Sequence, residues 1–200
     1  MLAAGQGDQD AFALLVERHH RAVLDFIHRF LGLADRAMAE DLAQDVFLAA
    51  WRGARIFRPR AKVLTWLLRI AVNVSLNHQR NRRLRATIPL DSLDEPPEEG
   101  PHAGGPEAQI LSRERAEQVR AALAGLPAKQ RAAVVLRHYH DLSYVEIAGS
   151  LETSVSAVES LLFRAREVLR ERLGVPTAPK AAQVLRPVRV QEASRRGEAT

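Results

Sequence analysis

Arg80, Arg82, Arg83 and Arg85 place four guanidinium groups within six positions. Upstream, Arg58, Arg60 and Lys62 stand between Phe57 and Trp66. No Asp or Glu occurs between Asp45 and Asp91. Cations interleaved with aromatic rings suit single-stranded DNA, because phosphates meet charge and unstacked bases meet a π face. Taken alone, the two aromatics read better as core rings; the cluster as a whole reads as a nucleic-acid surface.

A second constellation is acidic. In AEDLAQDVF, Asp41, Gln44 and Asp45 are spaced i, i+3 and i+4, so on a helix they share one face. Leu42 and Val46 fall on the opposite side. A carboxylate patch on a basic segment is a poor ligand for DNA. It reads either as a solvated face or as a docking surface for a basic protein partner.

The third lies in SYVEIAGSLETSVSAVESLLFRAR, Ser143 to Arg166, which reads as helix, tight turn, helix. Val158, Leu162 and Ala165 recur at four and three residues and pack inward, leaving Ser160, Phe163 and Arg164 outward. Arg164 can make a bidentate contact to guanine, and Phe163 can touch a thymine methyl. Arg166, Arg170 and Arg172 can serve phosphates or balance the helix C-terminus. Ser143 and Glu146 have capping-box spacing. The last helix opens at Ser154 or Ser156. From Ser156, Glu159 closes a capping box; from Ser154, Glu159 lies about one turn further in and faces a groove, where a carboxylate accepts from cytosine N4.

Catalytic or metal chemistry finds little support. His19, His20, His28, His138 and His140 are the candidates. His138 and His140 flank Tyr139 on one helix and point apart. His20 and His28 can share a face, but no acidic partner completes a site nearby. With no Cys, a disulfide framework, a thiolate zinc site and a Cys nucleophile are excluded. No catalytic residue, metal or cofactor is expected.

These constellations need helices to hold them. Phe12, Leu15, Val16, Val23, Ile27 and Phe30 form one helical stripe, interrupted at His19 and His20. Leu42, Val46, Ala49 and Ala50 form a second, and Trp66, Leu67, Ile70, Val74 and Leu76 mostly a third. Pro59 marks a loop between the last two. Further on, Leu123 and Leu126 lead to Pro127 as first residue of a helix carrying Ala132, Val135, Leu136 and Tyr139. No period-two segment occurs. The expected fold is all-α.

Charge divides the 200-residue chain further. Its net +5 favours an acidic partner such as nucleic acid. Residues 1–87 hold 14 basic and 8 acidic side chains, whereas 88–111 hold six acids and no Lys or Arg. That stretch also concentrates Pro and Gly and reads as an extended linker. Residues 112–174 form a second helical block, and 175–200 a basic, Pro-containing tail expected to be disordered. No run nears the ~20 apolar residues of a membrane span, and no signal peptide is visible, so a cytoplasmic protein without membrane insertion is expected.

AEDLAQDVFLAAW, TWLLRIAVNVSLNHQR, LPAKQRAAVVLRHYHDLSYVEIAGSL and LLFRAR, in this order, resemble bacterial sigma factors of the extracytoplasmic-function (ECF) group. The likeness spans residues 6–87 and 110–173, the family's sigma2 and sigma4 domains. It implies a protein that joins core RNA polymerase and directs it to promoters. Asp41, Gln44 and Asp45 match positions that dock on the clamp coiled coil of the β′ subunit. The loop near 56–64 and the helix after it match the part that captures flipped bases of the −10 element. By this likeness Phe57, Arg58, Arg60, Lys62, Trp66, Asn73, Asn77, Arg80 and Arg83 are −10 contacts, and Ser160, Phe163, Arg164 and Arg166 are −35 contacts. The resemblance also implies a contact with the β flap, an anti-sigma factor as a further partner, and a linker threading the polymerase channels.

The chain departs from the family pattern at Ala157, Glu159 and Leu161, and at Glu152, where Gly is frequent in the turn. Asn77 stands where Asp is common. These differences bear on which −35 sequence is read. A stand-alone regulator with a LuxR-like reading domain is the main rival; the acidic face and the basic-aromatic helix argue against it.

Overall fold

The computed structural model describes residues 1–32, 36–57, 62–85 and 106–174, and these carry helices without a strand. The helices are α1 (Leu2–Gly5), α2 (Gln9–Leu31), α3 (Arg36–Gly53), α4 (Val63–Arg85), α5 (Pro106–Ala124), α6 (Ala128–Tyr139), α7 (Tyr144–Ser150) and α8 (Val155–Arg172). A 3-10 turn, Ala54–Ile56, follows α3. The all-α architecture is as expected, and α2, α3 and α4 pack mutually while α6, α7 and α8 do the same.

Local chemistry sets the ends of α2. The Asp8 carboxylate accepts from the Ala11 N–H at 2.9 Å, a side-chain N-cap. Gly32 ends the helix at φ 64, donating to the His28 carbonyl at 2.9 Å. That left-handed geometry is one glycine adopts without a Cβ clash.

The predicted stripes are broadly right and each is shifted in detail. On α2, Leu15, Val23, Ile27 and Phe30 are buried as expected, with Phe12 and Val16 half-buried; Phe26 joins them, fully buried. On α4 the buried face is Leu67, Leu68, Ala71, Val72 and Ser75, whereas Trp66, Ile70, Val74 and Leu76 lie half-buried beside it. The stripe sits about one position on because α4 is enclosed by both α2 and α3. Pro127 precedes α6 as its N-cap, with ψ 141, and is not its first residue. Helix α5 begins at Pro106, inside the stretch that reads as linker; proline suits a first helical position, where an N–H would lack an intrahelical partner anyway.

The two helical blocks share one continuous core. Helix α2 packs on α5 and α6, and α4 packs on α7. Arg131 on α6 is 4% exposed and donates to the Phe30 carbonyl of α2 at 2.7 Å. Phe26 lies against the His140 ring, 6.0 Å between centroids, and Arg29 stacks on Tyr139 at 4.0 Å. This packing explains why Phe26 is buried although it falls beside the stripe facing α3 and α4: it serves the second block.

Candidate nucleic-acid interface

Helix α3 presents Asp41, Gln44 and Asp45 together on its exposed side, with Leu42, Ala43, Val46 and Phe47 buried behind them. The arrangement is the one their spacing predicts. Beside Gln44 lies an apolar groove of about 600 Å³ between α2 and α3, formed by Phe12, Val16, Phe47, Leu48 and Trp51. Leu48 is 53% exposed on its rim. Periodicity places Leu48 outside the apolar stripe, so the groove is not legible from spacing alone. His20, also on the groove, pairs with Glu40 at 3.1 Å and stacks on Phe47, which gives this histidine a partner unrelated to metal binding. Among the described residues no group of three metal-ligating side chains forms.

On α4, Arg69, Asn73, Asn77 and Arg80 are exposed and recur at four, four and three residues, so they line one face. Lys62 and Thr65 continue that line towards the helix start; Lys62 is exposed and Thr65 half-buried. Of the −10 contacts implied by the resemblance, Lys62, Asn73, Asn77 and Arg80 thus come together. Phe57 and Trp66 are half-buried and meet edge to face at 5.3 Å, and the Trp66 ring covers Gly53, where a Cβ would come within 3.3 Å of it. Trp66 is therefore partly a packing ring. Arg58, Arg60 and the side chain of Arg83 lie outside the described residues. Arg69 is the member of this face that the sequence reading omits; its i, i+4 relation to Asn73 is the signal that would have found it.

The helix–turn–helix has the expected caps at α7. Ser143 Oγ accepts from the Glu146 N–H at 3.3 Å while Glu146 Oε2 accepts from the Ser143 N–H at 2.9 Å, a complete capping box. The Ser143 backbone N–H, then its hydroxyl, hold the Glu146 carboxyl below the ordinary carboxylate range. At α8 the cap is Ser154, whose Oγ accepts from the Ala157 N–H at 3.1 Å. The alternative box from Ser156 to Glu159 does not form, because the turn closes earlier: Glu152 is left-handed at φ 51, and Ser154 is already extended at φ −84, ψ 159. Ser156 is helical and its carbonyl accepts from Ser160 Oγ at 3.0 Å. Glu159 accordingly sits beyond the first turn and is exposed.

Val158, Leu162 and Ala165 are buried, as their spacing predicts. Ser160, Phe163, Arg164 and Arg166 are exposed, Phe163 to 61%. A bare phenylalanine beside two arginines on the second helix of a helix–turn–helix suits a major groove, where thymine methyls and guanine edges are offered together.

A helix face of cations and amides, an acidic face on its neighbour and a helix–turn–helix, all on helices of the described residues, are the features of a transcription factor that engages both DNA and a protein partner. Residues 15–85 match the family model of sigma-70 region 2, and residues 116–169 that of sigma-70 region 4. The chain belongs to the sigma-70 family, in its ECF group. It is 38% identical over 176 residues to the RNA polymerase sigma-H factor of Pseudomonas aeruginosa, covering 84% of this chain and 89% of that one. To the ECF RNA polymerase sigma-E factor of Escherichia coli K12 it is 34% identical over 175 residues, with the same coverage of 84% and 89%. Its fold is similar to that of CnrH in complex with the cytosolic domain of CnrY, with TM-score 0.63, 27% identity, and 88% and 95% of the two chains covered. A likeness of fold extends to the sigma factor RpoE of Bartonella quintana in complex with the anti-sigma factor NepR, with TM-score 0.66, 23% identity, and coverage of 84% and 99%. The protein is thus a sigma factor, a DNA-binding regulatory subunit that directs RNA polymerase to promoters. No described helix is long and apolar enough to cross a membrane.

Proposed function

We propose that residues 1–87 dock on core polymerase and hold the opened −10 element, that 112–174 read the −35 element, and that 88–111 connect them through the enzyme. Asp41, Gln44 and Asp45 meet basic side chains of the β′ clamp coiled coil, and an apolar side chain of that partner fills the groove beside Leu48 and Trp51. The observation that carries this reading is the separation of charge: carboxylates on the exposed face of α3, cations and amides on that of α4. One domain can then hold a protein and a strand of DNA at once.

The chain itself makes and breaks no covalent bond. It stabilises an opened duplex by binding what opening exposes. Unstacking a base costs a few kcal/mol, and aromatic and ionic contacts return about 1–3 kcal/mol per base. Phe57, Trp66, Lys62, Asn73, Asn77 and Arg80, with Arg58, Arg60 and Arg83, supply those contacts. Ser160, Phe163, Arg164 and Arg166 read the upstream element, and exposed Glu159 accepts from a cytosine amino group there. The protein works in the cytoplasm, where its polymerase is, contacts the β flap through its second domain, and is restrained by an anti-sigma factor, as the complexes of similar fold suggest.

Asp41→Arg combined with Asp45→Arg tests the docking face. The double variant is expected to keep its helical circular dichroism and its melting temperature and to lose co-purification with core polymerase. A folded double variant that still binds the enzyme removes the acidic face from the mechanism.

A further inference from the structure

Glu152 occupies a left-handed turn at φ 51, a conformation in which a Cβ is strained and glycine is not. Its side chain is aimed away from its own block. Glu152 Oε1 accepts from Arg69 Nη2 on α4 at 2.9 Å, across 83 residues of sequence. One turn earlier on α4, Thr65 Oγ1 donates to Glu146 Oε1 at 3.2 Å, and Lys62 one turn before that lies near enough to pull the Glu146 carboxyl further down. Two carboxylates of the second block therefore lie along the first turns of α4. They occupy the face that continues through Asn73, Asn77 and Arg80.

We propose that Glu152 is an intramolecular competitor for the DNA-binding face of α4, and that Arg69 is a phosphate contact which it occupies until the second block is drawn away. The proposal rests on the reading of α4 as the single-strand face. A carboxylate oxygen at 2.9 Å from a guanidinium stands where a phosphate oxygen of a bound strand would stand. The pair is well exposed, 50% on Arg69 and 64% on Glu152, so it is screened by salt and easily exchanged, as a competitor must be. Because both partners belong to one chain, even a weak pair competes at high effective concentration. Glycine at position 152 would make an unstrained turn and no such contact; the side chain found there gains a partner at the cost of backbone comfort.

The test uses the full chain without polymerase, a fluorescein-labelled single-stranded DNA read by anisotropy, and amide hydrogen exchange of α7 and the start of α4. Glu152→Gly suits the turn and is expected to melt no lower than the parent. It should bind the oligonucleotide about two- to fivefold more tightly, the range of one exposed ion pair. Exchange should rise at residues 63–70 and 144–150. Glu152→Lys keeps the strained backbone, repels Arg69 and should give at least as large an effect. Arg69→Ala should weaken binding more in the Glu152→Gly background than in the parent, where Arg69 is already occupied. Parental exchange and affinity in both position-152 variants would overturn the competitor. Equal loss from Arg69→Ala in both backgrounds would remove Arg69 from the contact. If exchange rises and no variant binds the oligonucleotide, the reading of α4 as a DNA face is what fails.

Discussion

Arg131 offers the sharpest test of how the two blocks are joined. Its guanidinium is buried and donates to Phe30 O at 2.7 Å, to Leu126 O at 3.0 Å and to Ala124 O. Phe30 is the penultimate residue of α2 and Ala124 the last of α5, so these carbonyls are among those a helix leaves without an internal partner. One cation thus caps two helices and meets the negative ends of both dipoles. Each hydrogen bond to a charged group is worth about 1.5–3 kcal/mol, so three represent about 5–9 kcal/mol of gross interaction. Rehydrating freed carbonyls and relieving Arg131 of its own desolvation return a large part. A net loss of about 3–5 kcal/mol follows for Arg131→Met, which leaves three carbonyls without this donor at about 1–3 kcal/mol each. At 2–4 °C per kcal/mol for a chain of this size, the melting temperature should fall by roughly 6–20 °C. Urea unfolding followed by circular dichroism measures the loss directly, and Arg131→Lys should recover part of it. A loss below about 1 kcal/mol for Arg131→Met would refute the double-cap reasoning.

Three further outcomes are expected. Burial, aided by Arg29, depresses the His140 pKa below 6.5 against the opposing pull of Asp25 and Asp141, so the unfolded chain binds more protons just below that pH. Stability is then complete above 6.5 and lost as pH falls. The urea midpoint should drop between neutral and mildly acidic pH, and His140→Gln should flatten part of that slope; His19, whose pKa burial also lowers, acts in the same direction. Ser154→Ala should destabilise the protein by about 1 kcal/mol in the same assay, whereas Ser156→Ala should not. Arg164→Ala should reduce run-off transcription by about 1–3 kcal/mol of promoter discrimination on templates with an intact −35 element; an equal loss with that element scrambled would contradict base reading.

Much of the candidate surface was legible in the chain before any fold was known. The carboxylates of α3, the inward row Val158, Leu162 and Ala165, and the Ser143–Glu146 box depend on residues three or four apart, and helical geometry alone relates them. The order of four motifs carried the family. Less visible were features that depend on two helices meeting. Whether Ser154 or Ser156 caps α8 turned on where the backbone reversed at Glu152, and either serine satisfied the pattern.

The sequence by itself determined that this protein is helical, that it carries a basic face and an acidic face, and that its last helix turns Ser160, Phe163 and Arg164 outward. Only the tertiary structure decided what covers those faces. Phe26 and Arg131 are buried because the second block closes on the first, and Arg69 meets Glu152 because α7 lies along α4. Periodicity reports the side a residue turns inward within its own helix. It carries no information about a partner 83 or 101 residues away, since that contact is set by how whole helices pack.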